Sequence, residues 1–142
     1  MPIKAQQKLK LTLPCSTHWF TGWNEILMHY TNPLTGGHVM QTMGASMQLL
    51  PVGFKGKAHK HTGSFVFQCA KGRGYSIING KRFDWAARDI FCVPSWAWHE
   101  HVNLSETEGA CLFSFNDLPV IESLGLFQSR ELEENGGFQE IQ

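Results

Sequence analysis

Between residues 44 and 115 short apolar runs alternate with turn signals. "SMQLLPV" leads to Gly53 and Gly56, "HKH" follows, and "SFVFQCA" comes next. "KGRG" then precedes "YSII", and Asn79-Gly80 separates that run from "KRFDW". Asn-Gly between two such runs is a strong hairpin signal, because both residues tolerate positive φ. "DIFCVP", "WAWHEHVN" and "ACLFSF" complete the series. Strands this short and this regularly punctuated predict an all-β, antiparallel sandwich or small barrel.

The flanks carry a different pattern. "WNEILMHY", residues 23–30, fits a short helix or an irregular arm, and "YTNPLTGGH" is a loop marked by Asn-Pro and Gly-Gly. "NDLPVIESLGL" predicts one short helix, with Asn116 or Asp117 as cap, Pro119 in the first turn and Gly125 as the stop. "ELEENGGFQEIQ" is acidic and weakly apolar, which predicts a frayed tail. The chain divides accordingly into an N-terminal arm or strand (1–30), a barrel with its closing helix (31–127) and a flexible acidic tail (128–142).

Composition narrows the function classes. A chain of 142 residues is one-domain length and can bury about two-thirds of its unfolded surface. Twelve Lys and Arg balance twelve Asp and Glu, so no basic field exists to attract nucleic acid or an anionic membrane. No apolar run approaches the ~20 residues of a membrane span, and "MPIKAQQKLKLTLP" lacks the apolar centre of a signal peptide. The cytoplasm is the expected compartment. Cys15, Cys69, Cys92 and Cys111 are far apart, and three of them sit in apolar stretches. They read as reduced core thiols.

The histidines change the picture. Side chains two apart on a strand share a face, so His59 and His61 project together. Phe65, Phe67 and Cys69 follow on that side unless Gly63 breaks the strand. In "SWAWHEHVN", Ala97, His99, His101 and Asn103 share one face, while Trp96, Trp98 and Glu100 share the other. If the two strands are neighbours, four imidazoles converge inside the barrel. Neutral imidazole suits iron, copper, nickel and zinc. Without an ion each buried ring needs a hydrogen-bond partner or costs roughly 1–3 kcal/mol. A lone His-x-His pair is more often half-solvated surface, so its frame decides.

That frame resembles the cupin superfamily. Gly53, His59, His61 and Gly72 stand in register with the first cupin motif, and Pro94, His99 and Asn103 with the second. The resemblance implies a single cupin barrel (a double-stranded β-helix, or jelly roll) holding a divalent metal on His59, His61 and His99. Two positions depart from the superfamily pattern: Phe65 stands where a ligating Glu is usual, and Trp96 where a Gly is usual. Both fit a narrower resemblance to gentisate 1,2-dioxygenase and its relatives acting on salicylate and 1-hydroxy-2-naphthoate, whose sites use three histidines and no carboxylate. "NPLTGG", "SMQLLPVGF", "GKRFDWAARDIFCVPSWAWHEH" and "LFSFNDLPVIESLGL" carry it, over residues 31–127. Those enzymes hold two cupins in one chain, and the wording here is closer to their C-terminal cupin. Gly63 occupies the place of a substrate-positioning glutamine.

The resemblance implies an iron(II) dioxygenase that cleaves a hydroxylated aromatic acid with O2. Nickel, zinc or manganese are the other ions such a site takes. Three neutral imidazoles leave the ion its full positive charge in a low-dielectric barrel, which favours an anionic chelator. His101 is a candidate acid or base beside the metal, and Gln48, Phe65, Phe67 and Asn103 are candidate pocket residues. Two rival readings stand beside this one: a non-oxidative metal-dependent isomerase or lyase on a small acidic molecule, and a binding cupin without catalysis. "KLKLTLP" is a candidate strand for exchange between two copies, and a homodimer is expected.

Overall fold

The computed structural model describes residues 26–142. The segment "KLKLTLP", Cys15 and His18 lie outside the described residues. The fold is the expected all-β jelly roll, with two five-stranded antiparallel sheets and one short α-helix among the described residues. The first sheet orders its strands β1 (Ile26–His29), β2 (Gly44–Leu50), β9 (Ala110–Asn116), β4 (Phe65–Lys71) and β7 (Ile90–Val93). The second orders β10 (Ser129–Glu131), β3 (His59–His61), β8 (His99–Asn103), β5 (Arg73–Ile78) and β6 (Lys81–Ala86).

Period-two burial creates the interior. Along β2 and β9 buried residues alternate strictly with less buried ones, as one covered sheet face requires. Leu50, Leu112 and Ala110 are fully buried, and Cys69, Trp85, Phe67 and Val93 pack with them. The chain changes sheets between β3 and β4. Gly63 sits there at φ 93° with a Cβ position only 2.8 Å from Leu118 Cδ2, so a side chain would meet the helix. The expected continuous strand is thus broken, yet Phe65 still turns inward beside His61. The β5–β6 hairpin has Asn79 at φ 47° and Gly80 at φ 76°, the positive-φ pair its sequence predicts.

Helix α1 (Leu118–Ser123) starts after Asp117, carries Pro in its first turn, and is followed by Gly125 at φ 68°. The Asn116 side chain accepts a hydrogen bond from the Leu118 N–H (3.1 Å).

Three sequence expectations need correction. Residues 26–29 form β1 instead of a helix or irregular arm, because pairing with β2 overrides a weak local preference. Residues 128–142 are no frayed tail. β10 pairs with β3, and Gln139 ties the end of the chain down, donating to the Ile77 carbonyl (3.0 Å) and accepting from the Gly80 N–H (3.0 Å). Its backbone N–H donates to the buried Glu100 carboxylate (3.0 Å). Composition predicts disorder there; sheet edges waiting for partners reverse it. Cys92 is exposed and Cys111 half-buried on the outer face of the first sheet, so only Cys69 of the described thiols is a core residue.

Candidate metal centre

Strands β3 and β8 lie side by side with His59 directly opposite His99. His61, two residues on, shares the inward face of His59. The ring centroids are 4.3 Å apart for His59 and His99, 4.9 Å for His61 and His99, and 5.8 Å for His59 and His61. One ring nitrogen from each lies within 4.8 Å of the others.

The backbone fixes which nitrogen that is. His59 Nδ1 lies 3.1 Å from the Lys57 carbonyl, His61 Nδ1 3.2 Å from the Thr62 carbonyl and His99 Nδ1 3.0 Å from the Ala97 carbonyl. A carbonyl oxygen only accepts, so each neutral ring carries its proton on Nδ1 and leaves the Nε2 lone pair for another partner. A backbone carbonyl on the far nitrogen is how ligating imidazoles are commonly oriented. Burial supplies the neutral state of His61 and His99. His99 is held well below its ordinary pKa by desolvation and then by repulsion from His59 and His101, and His61 is lowered by desolvation and then by His59. Three neutral nitrogen donors on one side, with no carboxylate among them, fit a borderline divalent transition ion.

His101 follows on the same face of β8 but stands outside the three-nitrogen group. Its Nδ1 is 2.7 Å from the Ser76 hydroxyl, and the Trp85 indole N–H donates to the same oxygen at 2.9 Å. Burial, with smaller contributions from His59 and His61, lowers the His101 pKa to about 3.

The candidate pocket residues separate into three cases. Phe65 and Phe67 line the histidine side: the Phe65 ring centroid is 4.8 Å from that of His61, and Phe67 is 4.8 Å from His101. Phe91 stacks on Phe67 at 5.3 Å and extends the apolar wall. Gln48 is buried on the inward face of β2, where it pairs with Leu112. Asn103 is a correction. Its amide donates to the carbonyls of Leu50 (3.1 Å), Pro51 (2.9 Å) and Glu108 (2.9 Å), and its oxygen accepts from the Ser105 N–H (2.9 Å). With every polar atom bound to backbone, it clamps loops together. Four residues along β8 also place it roughly 13 Å from His99.

The remaining polar residues lie outside. Arg73 and Arg88 are exposed, and Arg82 is paired to Asp84. No Lys or Arg is among the buried polar residues in the described chain. Trp96 and Trp98 face away from His99, and the Lys60 ammonium lies 4.7 and 4.5 Å from their rings. Trp96, at the motif's glycine position, keeps a left-handed φ of 64°. His38 pairs with Glu122 at the surface (2.8 Å), while His29 lies on β1 opposite the buried Ser46.

Sequence reasoning missed Ser76 and the buried Ser46–Ser114 hydroxyl pair (2.7 Å). A usable signal existed. Ser46 and Ser114 hold inward positions of otherwise alternating strands, where a polar residue demands a partner.

Residues 46–115 match the cupin domain family. The chain is 39% identical over 116 residues to a 5-aminosalicylate 1,2-dioxygenase of Comamonas sp, covering 82% of this chain and 30% of that protein. It is 39% identical over 101 residues to a gentisate 1,2-dioxygenase of Aquipseudomonas alcaligenes, covering 71% of this chain and 28% of that one. The crystal structure of salicylate 1,2-dioxygenase from Pseudoaminobacter salicylatoxidans with gentisate superposes with a TM-score of 0.73 at 29% identity, over 80% of this chain and 30% of that chain. The chain thus spans under a third of the length of these relatives.

Proposed function

The chain is a cupin related to gentisate and salicylate dioxygenases, and from that premise we propose that it is an iron(II) dioxygenase cleaving a hydroxylated aromatic acid. The single observation carrying this reading is the three-nitrogen convergence of His59, His61 and His99 without a carboxylate. Those residues would hold the ion through Nε2. Iron(II) there would supply a redox-active centre at which the ring and O2 exchange electrons, both oxygen atoms ending in the ring-opened product.

The chain's own residues account for the rest. Phe65, Phe67 and Phe91 keep water away and offer flat apolar surface to a planar ring. Because no buried Lys or Arg is found among the described residues, the ion is the main positive charge available to a substrate carboxylate. An acid that chelates through carboxylate and neighbouring hydroxyl suits such a site better than a neutral phenol. His101 is the nearest further imidazole and serves the site as a neutral hydrogen-bonding group. We read the protein as a homodimer of cupin units, with free thiols suited to the reducing cytoplasm.

Anaerobic loading with iron(II), followed by O2 uptake with gentisate, salicylate, 5-aminosalicylate and 1-hydroxy-2-naphthoate, tests this. Uptake with a ring-opened product from at least one acid, lost in His99→Ala, is the expected result. No uptake and no product across the series overturns it. Turnover of a small acid indifferent to O2 would move the protein to the isomerase or lyase reading.

A further inference from the structure

We propose that Ser76 is a positioning residue that holds His101 in the Nε2–H tautomer, the reverse of the three ion-facing rings. His101 then offers the interior a hydrogen-bond donor and is barred from joining as a fourth ligand through that nitrogen. The substrate oxygen it would meet rests on the proposed function, whereas the tautomer rests on the hydrogen bonds alone.

The assignment follows from donor and acceptor counting. Ser76 Oγ has two side-chain partners: the Trp85 indole nitrogen at 2.9 Å and His101 Nδ1 at 2.7 Å. An indole N–H can only donate, so one lone pair of Oγ is taken. The hydroxyl hydrogen must then find an acceptor, because Ser76 is fully buried. His101 Nδ1 is the acceptor within reach among the described residues. Were Nδ1 protonated, two donors would point at Oγ and its own hydrogen would be left without a partner. That arrangement is disfavoured by on the order of ten-fold or more. His101 Nδ1 therefore accepts, and the neutral ring carries its proton on Nε2.

The Trp85 side of the relay is built into the backbone. A Cβ on Gly74 would lie 2.5 and 2.7 Å from Cη2 and Cζ2 of Trp85. Glycine at this position lets the indole lie across β5 and reach the serine one strand away. Phe91 stacks parallel to the indole, with ring centroids 6.4 Å apart and an interplanar angle of 10°. Strand β8 thus carries two imidazoles two residues apart with opposite wiring. A backbone carbonyl sets His99, and a serine held by a tryptophan sets His101.

Long-range proton–nitrogen NMR of the 15N-labelled, zinc-loaded protein reads the tautomers directly. The expected spectrum has Nδ1–H rings for His59, His61 and His99 and, among its Nε2–H signals, one that disappears in His101→Gln. Ser76→Ala should mix the His101 tautomers, and Ser76→Thr should restore the Nε2–H form. Should Ser76→Ala fail to fold, the wild-type spectrum alone decides. An Nδ1–H tautomer at His101 in the wild type overturns the inference, as does an Nε2–H signal unchanged in Ser76→Ala. In iron-loaded protein, Ser76→Ala should lower kcat about ten-fold at unchanged metal content, with recovery in Ser76→Thr. A wild type inert toward all four acids sinks the dioxygenase reading, while the NMR pattern still decides the tautomer.

Discussion

The two sheets face each other across one interior but bring different chemistry to it. The β1-β2-β9-β4-β7 sheet contributes Leu50, Leu112, Cys69, Phe65 and Phe67, with the Ser46–Ser114 pair as its polar insert. The opposite sheet contributes His59, His61, His99, His101 and Ser76. One face supplies the dry wall and the other supplies the donors. The donor face depends on the wall, because His61, His99 and His101 are kept neutral by desolvation that the hydrocarbon wall provides. Shape and reactivity are thereby separable by mutation, which makes the contrast testable.

The largest effect should come from the histidine sheet. His99→Ala removes one of three donors, and metal affinity should fall by ~100-fold or more, read as ion-to-protein ratio after dialysis. Retention of a full equivalent of metal would abolish the contrast. On the opposite sheet Leu112→Ala leaves a cavity at a fully buried position and should cost about 2–5 kcal/mol in urea unfolding. Its metal content should stay unchanged, and a loss of metal there would show that the two faces are not separable.

Acid sharpens the same point more gradually. His61, His99 and His101 all have folded-state pKa values below the ordinary 6.5. Below about pH 6.5 the unfolded chain therefore binds more protons than the folded one, and stability falls as pH falls. The loss continues toward the His101 value of about 3. The urea midpoint of metal-free protein should decline steadily over that range; a flat profile would mean that the wall does not desolvate these rings. The smallest effect belongs outside both faces. Arg82→Ala breaks an exposed pair with Asp84 and a contact with the Tyr75 ring at 3.9 Å, so unfolding should change by about 1 kcal/mol and substrate KM should not move. A large rise in KM would bring an arginine into the site after all.

Much of the site was legible in one dimension. Side chains two apart on a strand must share a face, so the pairs His59–His61 and His99–His101 followed from spacing, whereas Phe65 and Phe67 reach the same interior from the opposite sheet, past the break at Gly63. Asn103 shows where this logic stops. It has the correct parity on β8, but parity says nothing of distance along the barrel or of competing partners, and three backbone carbonyls claim its amide. The bond from Trp85 to Ser76 escaped for the converse reason. The indole crosses to the neighbouring strand over Gly74, a contact that no periodicity encodes.

Local chemistry in the chain was enough to set the central strands between residues 44 and 116, the Asn79-Gly80 hairpin, the helix after Asp117 and the inward face of each imidazole, because these depend on neighbours a few residues away. Tertiary structure alone decided that β3 and β8 lie side by side, that the acidic end becomes a paired strand, and that His101 Nδ1 meets Ser76. Those outcomes depend on partners far apart in the chain, and hydrogen-bond valence is satisfied only once such partners have met.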